Sequence, residues 1–175
     1  MNKVIIGIIT VLILTIGVFV FLDFNKKYNS YVTPEEAIYN LEEPKFEVLK
    51  VIDTKIFEDE NVSYVFFYSK VDKPKNYLAV AILNENKYGW KYTEMVGVGD
   101  IAEGNSGSSI GRNGYRIGFA PSEVAKVQLG AHVANIIRLE KKEIKAWLFH
   151  GLGSEEFEKN ELKFLNEEGK VLESY

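Results

Sequence analysis

Residues 62–83 read VSYVFFYSKVDKPKNYLAVAIL, and this stretch decides the fold. Two runs rich in β-branched and aromatic residues, 64–68 and 77–83, flank a polar break at 72–76. This pattern predicts two strands joined by a short turn. Both runs are apolar at consecutive positions, which predicts central strands that are covered on both faces. We expect a helix beginning at Pro34 to cover one of those faces.

The same texture continues on either side of this stretch. Runs of similar composition recur at intervals of about ten to fifteen residues, with polar turns between them. They predict strands at 46–57, 62–71, 77–83, 90–98, 115–120, 124–129, 133–140, 143–149, 162–165 and 171–175. The expected fold class is mainly β (α+β), in which antiparallel β-hairpin meanders form a sheet or sandwich.

One stretch, His132 to His150, allows two interpretations. Its apolar residues lie near helical spacing between Gly130 and Gly151, which is typical of one amphipathic helix. Against this, the residues along 144–149 alternate with the period of two that is typical of a strand, and four charged residues fall where a hairpin between two strands would turn. We favour two strands over one helix.

A helix start is encoded at Thr33-Pro34-Glu35-Glu36. Thr33 is suited to the N-cap, Pro34 to the first helical position, and Glu36 to completing a capping box. The acidic turn needs no cation site, because carboxylates near a helix N-terminus are favoured by the helix dipole. We predict a short helix that ends before Pro44.

The N-terminal segment carries a membrane signal. Val4 to Leu22 reads VIIGIITVLILTIGVFVFL and contains no charged residue. A helix of this length matches a hydrocarbon core of about 30 Å. A cleaved signal peptide is the alternative, but its apolar region is shorter and a small-residue cleavage site should follow. We therefore predict a retained transmembrane helix at 4–22 after a tail at 1–3.

The orientation of this helix is not decided by charge. Lys3 precedes the apolar run and Lys26 and Lys27 follow it, so the positive-inside rule gives nearly a tie. A very short N-terminal tail is typical of a signal-anchor that leaves the following domain outside. We expect a single-pass protein of the cell membrane with a stalk at 23–32 and an extracytoplasmic, soluble domain at 33–175. Its two halves, 33–98 and 115–175, would be joined by a glycine-rich loop.

Composition excludes several classes of function. The chain has 175 residues, 46% of them hydrophobic, and no cysteine, so disulfides and thiolate metal sites are absent. Residues 1–27 hold three lysines and one aspartate, so the remainder carries 18 basic and 24 acidic side chains, a formal charge of −6. An acidic domain without a basic cluster argues against nucleic acid as a partner.

The glycine-rich segment is the place to look for catalysis. Residues 99–104 have the glycine spacing of a phosphate loop, but Asn105-Ser106 stands where Lys-Ser/Thr is required, so the lysine is missing, and no helix signal follows. Residues 107–111 match G-x-S-x-G around Ser109, although that motif requires a strand-to-helix elbow and a strand is expected next. We predict no enzyme and no cofactor.

Candidate binding residues are few. A long loop inside a compact domain is often functional, and this one could present polar side chains to a partner. The polar candidates are Asp100, Asn105, Arg112 and Asn113, and the aromatic candidate is Trp90. No metal site is expected, because His132 and His150 lie in no metal-binding motif.

Aromatic residues are numerous, with ten Tyr, eleven Phe and two Trp. On a surface protein, Trp90, Tyr92 and Trp147 could form a platform for sugars or peptidoglycan. Aromatic residues also favour strands and fill cores, and sequence does not separate exposed rings from buried ones. Core positions are therefore the expectation.

Three short pieces carry a resemblance: Thr33-Pro34-Glu35-Glu36-Ala37, Tyr88-Gly89-Trp90-Lys91-Tyr92 and Phe164-Leu165-Asn166-Glu167-Glu168-Gly169-Lys170-Val171. With them the chain resembles uncharacterised membrane-anchored surface proteins of Gram-positive bacteria. The resemblance implies a bacterial cell-surface setting and carries over no site residues.

The function expected from these observations is that of a membrane-tethered interaction or accessory module. Its partners would be the lipid bilayer, through residues 4–22, and a protein of the cell envelope. A domain that binds cell wall or a small ligand is the alternative, favoured if the fold holds a concave aromatic-lined face. A hydrolase is the third possibility and would need a cleft that gathers Ser109, or several carboxylates, with a histidine.

Overall fold

The computed structural model describes residues 3–71, 73–101, 108–111, 114–140 and 143–174; of residues 3–9, 108–111 and 154 it describes the backbone alone. Within these ranges the helices are α1 Lys3–Tyr28, α2 Pro34–Tyr39 and α3 Ser154–Lys159. The strands, numbered along the chain, are β1 Lys50–Phe57, β2 Val62–Ser69, β3 Tyr77–Asn86, β4 Gly89–Asp100, β5 Ser108–Gly111, β6 Tyr115–Pro121, β7 Lys126–Leu129, β8 His132–Val133, β9 Asn135–Arg138, β10 Ile144–Phe149, β11 Leu162–Leu165 and β12 Val171–Ser174.

The strands form three antiparallel sheets of four strands each within the described residues. The first sheet is a meander in the order β1-β2-β3-β4. The second sheet has the order β5-β6-β10-β9, and the third has the order β12-β11-β7-β8. The prediction of a mainly β fold built from antiparallel hairpins is therefore confirmed.

The layers stack in the order α2, first sheet, second sheet, third sheet. One core lies between the first two sheets, where Phe66 and Val80 meet Ile117 and Leu148. A second core lies between the second and third sheets, and a third core lies between the first sheet and α2. Strands β2 and β3 are buried on both faces, as their unbroken apolar runs predict.

Helix α2 begins as predicted. The side chain of Thr33 accepts a hydrogen bond from the Glu36 amide at 3.2 Å, and Pro34 occupies the first turn. The helix ends at Tyr39, where the Asn40 amide still donates to the Glu36 carbonyl. Ala37 and Ile38 are buried against the first sheet.

The ambiguous stretch from His132 to His150 forms strands. Strands β9 and β10 pair antiparallel, with Lys145 opposite Arg138, so the two-strand interpretation describes it and the helical one does not. The residues of β10 alternate between cores: Leu148 faces the first sheet, whereas Trp147 and Phe149 face the third. Both faces of this strand therefore have an apolar layer to cover them.

Three predicted boundaries need correction. The first strand begins at Lys50 rather than at residue 46, and the stalk at 23–32 is helical as far as Tyr28 because α1 continues through it. The glycine-rich segment is not one long loop. Strand β4 extends through Gly97 and Gly99 to Asp100, and residues 108–111 form β5.

The apolar N-terminal segment lies within α1. The side chains of residues 4–9 of the predicted span are outside the described part of the chain, whereas those from residue 10 onward are described. Among the residues that the structure describes, we found no helix whose length and hydropathy would together suffice to cross a membrane.

Candidate binding cleft beside the N-terminal helix

The tip of the β3–β4 hairpin contacts α1 directly after the predicted apolar span. The Tyr88 hydroxyl donates to Oδ2 of Asp23 at 2.5 Å, and Nζ of Lys87 lies 2.8 Å from Oδ1. The hydrogen bond from Lys87, followed by that from Tyr88, holds the pKa of Asp23 below its usual value, so the carboxylate is charged at neutral pH. We refer to these three residues as the Asp23 clasp.

Two further contacts join the segment that follows α1 to the β3–β4 hairpin. The Asn86 amide donates to the Ser30 hydroxyl at 2.9 Å, and Tyr31 and Trp90 exchange backbone hydrogen bonds of 2.9 and 2.8 Å. Gly89 makes the second contact possible, because a Cβ at this residue would lie 2.2 Å from the Tyr31 carbonyl oxygen. The chain that leaves α1 is thus fixed along the first sheet.

A cleft of about 800 Å³ opens beside this junction. It lies between the end of α1, the end of α2 and the start of β4. Its lining consists of three asparagines, three tyrosines, one lysine, one glutamate and two aliphatic residues: Asn25, Asn29, Asn40, Tyr28, Tyr31, Tyr92, Lys91, Glu42, Ala37 and Leu41.

The polar groups of the cleft are suited to hydrogen bonding rather than to chemistry. The Asn29 amide donates to Oδ1 of Asn25 at 2.5 Å, and Nδ2 of Asn40 donates to the Glu36 carbonyl, so the oxygen of the Asn40 amide remains as an acceptor. Burial, and then the charge of Glu94, raises the pKa of Tyr92, which keeps this phenol neutral. The described lining offers amide, hydroxyl and ring surfaces, and no histidine or serine.

The residues predicted from sequence to bind a partner are not brought together here. Trp90 is 5% exposed and packs in the core beneath α2. Asp100 lies at the opposite end of β4, where it accepts a hydrogen bond from the Asn76 amide at 3.0 Å. Asn105, Arg112 and Asn113 lie outside the described residues, as does the side chain of Ser109.

The aromatic platform is also rearranged. Trp147 is 2% exposed, and its indole Nε1 donates to the Phe119 carbonyl at 2.9 Å, so it is buried like Trp90, although in the core between the second and third sheets. Of the three predicted rings, only Tyr92 lines the cleft, together with Tyr28 and Tyr31. Sequence reasoning placed these last two in a stalk. Their position in the short polar segment that follows the apolar run was the signal that could have identified them.

A second cluster surrounds His150, between the first and second sheets. Its Nδ1 lies 2.8 Å from the Tyr64 hydroxyl, and its Nε2 lies 3.0 Å from Glu60, although at an angle that makes no hydrogen bond. The ring of Phe57 covers it at 4.0 Å between centroids. Burial raises the pKa of Tyr64, which is fully buried and so remains a neutral phenol. The cluster links the sheets but presents no nucleophile to solvent.

Metal binding finds no support in the described part of the chain. No three His, Asp or Glu side chains there lie close enough together to hold an ion. His132 approaches one carboxylate, Glu156, at 3.7 Å, and both side chains are largely exposed.

Comparisons with models of protein families, with curated proteins and with solved structures gave no match.

Proposed function

We propose that the chain is a non-catalytic binding module, tethered to a membrane by its N-terminal helix, that takes a polar ligand of low net charge in the cleft beside α1. The position of this cleft carries the proposal. A concave surface with three tyrosines and three asparagines lies where the apolar helix leaves the domain. Concave sites with aromatic walls and a few polar groups are typical of ligand-binding sites.

The tether is supported by the composition and surroundings of α1. The run from Val4 to Leu22 has no charged residue. From Val11 to Leu22 the large apolar side chains are at least half exposed on all sides of the helix in the part of the chain that the structure describes. A helix that is apolar all round needs an apolar environment, and a bilayer supplies one.

We propose further that the domain lies outside the cytoplasm. Since the chain has no cysteine, a single Val171→Cys variant gives an unambiguous label site on the 45% exposed Val171. A membrane-impermeant maleimide should label this variant in intact cells as fully as in permeabilised ones. Labelling only after permeabilisation would place the domain in the cytoplasm, and native protein free in the medium from about residue 24 onward would remove the tether.

The chemistry of the cleft suits a ligand rich in hydroxyl or amide groups. Asparagine amides and tyrosine hydroxyls both donate and accept hydrogen bonds, and tyrosine rings pack against flat apolar faces. Lys91 and Glu42 are the charged residues of the lining and have opposite signs. An uncharged glycan segment of the cell wall fits this description better than a phosphate or a polyanion.

Titration of the full chain in nanodiscs with an N-acetylglucosamine tetrasaccharide tests the ligand class. We expect saturable binding, weakened about tenfold (roughly 1.4 kcal/mol) by Tyr92→Ala, because this ring forms part of the cleft wall. Tyr39→Ala is the matched control, since Tyr39 is 57% exposed on α2 and does not line the cleft. Absent binding, or equal binding by both variants, would refute a glycan site here.

A protein-binding module is the second candidate, favoured by strand β12. This strand pairs with β11 along one edge, and Val171 and Leu172 are both nearly half exposed. An open edge with exposed apolar residues can accept a further strand from another protein. Crosslinking in intact cells should then capture an envelope protein with the native chain and lose it with Leu172→Lys. Capture that is unchanged in this variant would exclude β12 as the contact.

A further inference from the structure

We infer that the tip of the β3–β4 hairpin, Lys87 and Tyr88, is a second membrane contact that rests in the headgroup layer of the bilayer that α1 enters. The inference rests on the proposed function, because it requires α1 to be in the membrane. It adds that the domain is held against the lipid surface in one orientation, rather than moving freely on a stalk.

The depth of the tip follows from the Asp23 clasp. Asp23 comes directly after Leu22, the last residue of the apolar run. A helix rises about 1.5 Å per residue, so the backbone of Asp23 lies within a few ångströms of the edge of the hydrocarbon. The Tyr88 hydroxyl and the Lys87 ammonium are 2.5 and 2.8 Å from its carboxylate. The tip must then share the depth of Asp23.

The residues at this depth are those that membrane interfaces favour. Tyrosine places its ring toward the apolar side and its hydroxyl toward water, and lysine extends its ammonium to the headgroups. Nζ of Lys87 lies 4.6 Å from the centre of the Tyr88 ring, so the two side chains form one unit. Phe24 on α1, 66% exposed, adds a ring near the same level.

A recess beside the clasp identifies lipid as the occupant. It measures about 540 Å³ and is lined by Phe19, Val20, Asp23, Phe24, Lys27 and Tyr88. Its walls change from apolar at Phe19 and Val20 to charged at Lys27, in the direction in which a lipid changes from acyl chain to headgroup. Binding of a protein partner would not require the walls of the recess to change from apolar to charged along the helix axis.

Local charge favours the same occupant. The lysines around the end of α1 and the hairpin are Lys26, Lys27, Lys87 and Lys91, against the acidic Asp23, Glu42 and Glu85. This gives a local excess of one positive charge in a chain whose formal net charge is −4. Anionic headgroups attract such a basic edge, whereas they repel the rest of the domain.

Single-cysteine nitroxide labels test the inference in the full chain, reconstituted in vesicles of phosphatidylcholine and phosphatidylglycerol. Three variants are compared: Lys87→Cys at the tip, Val18→Cys on α1 and Val171→Cys on β12, all at exposed residues. Collision of the label with oxygen reports lipid, and collision with a nickel chelate reports water. We expect the label at Val18 to collide mainly with oxygen, as in lipid, and the label at Val171 to collide mainly with the nickel chelate, as in water. The label at Lys87 should give intermediate collision rates, which become those of a label in water when Asp23→Ala is added.

The outcomes are distinguishable. Water values at Lys87 with lipid values at Val18 would overturn the tip contact and leave the tether intact. Water values at Val18 would overturn both. Dipolar broadening between labels at Lys87 would show that a second copy, not lipid, covers the tip, and would overturn the inference. As a check that does not remove the tip lysine, Tyr88→Trp should show fluorescence quenching by brominated lipid, which Trp90 and Trp147, being buried, should not.

Discussion

The hydroxyl of Tyr88, at the tip of the β3–β4 hairpin, lies 2.5 Å from the carboxylate of Asp23 in α1, across 65 residues of sequence. This contact fixes the apolar helix to the first sheet. It also places the end of that helix beside the cleft that Tyr28, Tyr31 and Tyr92 line. The relation between the anchor and the candidate site depends on it.

Removing the charge of the clasp should loosen the hairpin without unfolding the domain. In Asp23→Asn the Lys87 ammonium loses its counterion, but both side chains are about half exposed or more, so we expect little change in the free energy of unfolding. Hydrogen exchange of residues 84–92 should become faster. Glu155→Gln, which breaks the exposed Glu155–Lys159 pair in α3, is the control and should leave this segment unchanged. Unaltered exchange in Asp23→Asn would mean that the clasp positions nothing.

Gly89→Ala should break the contact between Tyr31 and Trp90. Gly89 has a φ of +119°, and a Cβ there would lie 2.2 Å from a backbone oxygen, which cannot move cheaply. We expect the free energy of unfolding to fall by more than about 2 kcal/mol in urea titrations. Gly169 has a φ of +79° but no heavy atom within 4 Å, so Gly169→Ala should cost only about 1 kcal/mol of backbone strain. Equal losses in the two variants would contradict the close approach at Gly89.

Alkaline pH should destabilise the domain through its buried tyrosines. Burial, and then the charge of Glu94, raises the pKa of Tyr115 from 10.0 to about 12. The unfolded chain therefore loses this proton first as the pH rises. The stability that Tyr115 contributes is complete below pH 10 and is lost as the pH approaches 12, up to roughly 2–3 kcal/mol.

Urea titrations at neutral pH and across that interval measure this loss. In Tyr115→Phe the free energy of unfolding should fall less steeply with rising pH than in the native chain. Part of the fall should remain, because burial also raises the pKa of Tyr64. Tyr39→Phe, at a residue 57% exposed, should decline like the native chain. Parallel curves for the native chain and Tyr115→Phe would show that Tyr115 ionises equally in both states.

Trp147→Phe should weaken the packing of the second sheet on the third. The change removes the hydrogen bond to the Phe119 carbonyl and puts a smaller ring against Phe149 and Phe164, which lie at centroid distances of 5.7 and 6.3 Å from the native ring. We expect a loss of about 2–3 kcal/mol in the free energy of unfolding, measured by urea titration. Val133→Ala, at a residue 53% exposed, should change it by less than about 0.5 kcal/mol. A Trp147→Phe variant as stable as this control would place Trp147 outside the core.

Strand positions were largely predictable because their signals are local. The unbroken apolar runs of β2 and β3 require cover on both faces, and the polar turns between strands mark their ends. Strand β5, in contrast, is built from Ser108, Ser109, Ile110 and Gly111, which show no alternating pattern and include one residue type that favours strands, Ile110. Its pairing with β6 supplies what its composition does not.

The candidate site was less predictable, because exposure depends on residues distant in sequence. Tryptophan is a residue type that often contacts ligands, but Trp90 is buried between α2 and the first sheet. Tyr28 and Tyr31 lie in a polar segment that looks like a linker, but the clasp and the backbone bonds between Tyr31 and Trp90 place that segment beside the cleft that Tyr92 lines. Neither outcome follows from the neighbours of these residues along the chain.

Sequence alone determined the uncharged run from Val4 to Leu22, the cap at Thr33 and the succession of hairpins, because each depends on residues within one turn or one strand of each other. Tertiary structure decided which strands share a sheet, which aromatic rings are buried, and that the β3–β4 hairpin meets Asp23. These features arise from the burial of apolar faces between layers, a free energy that is defined only when segments far apart in the chain come together.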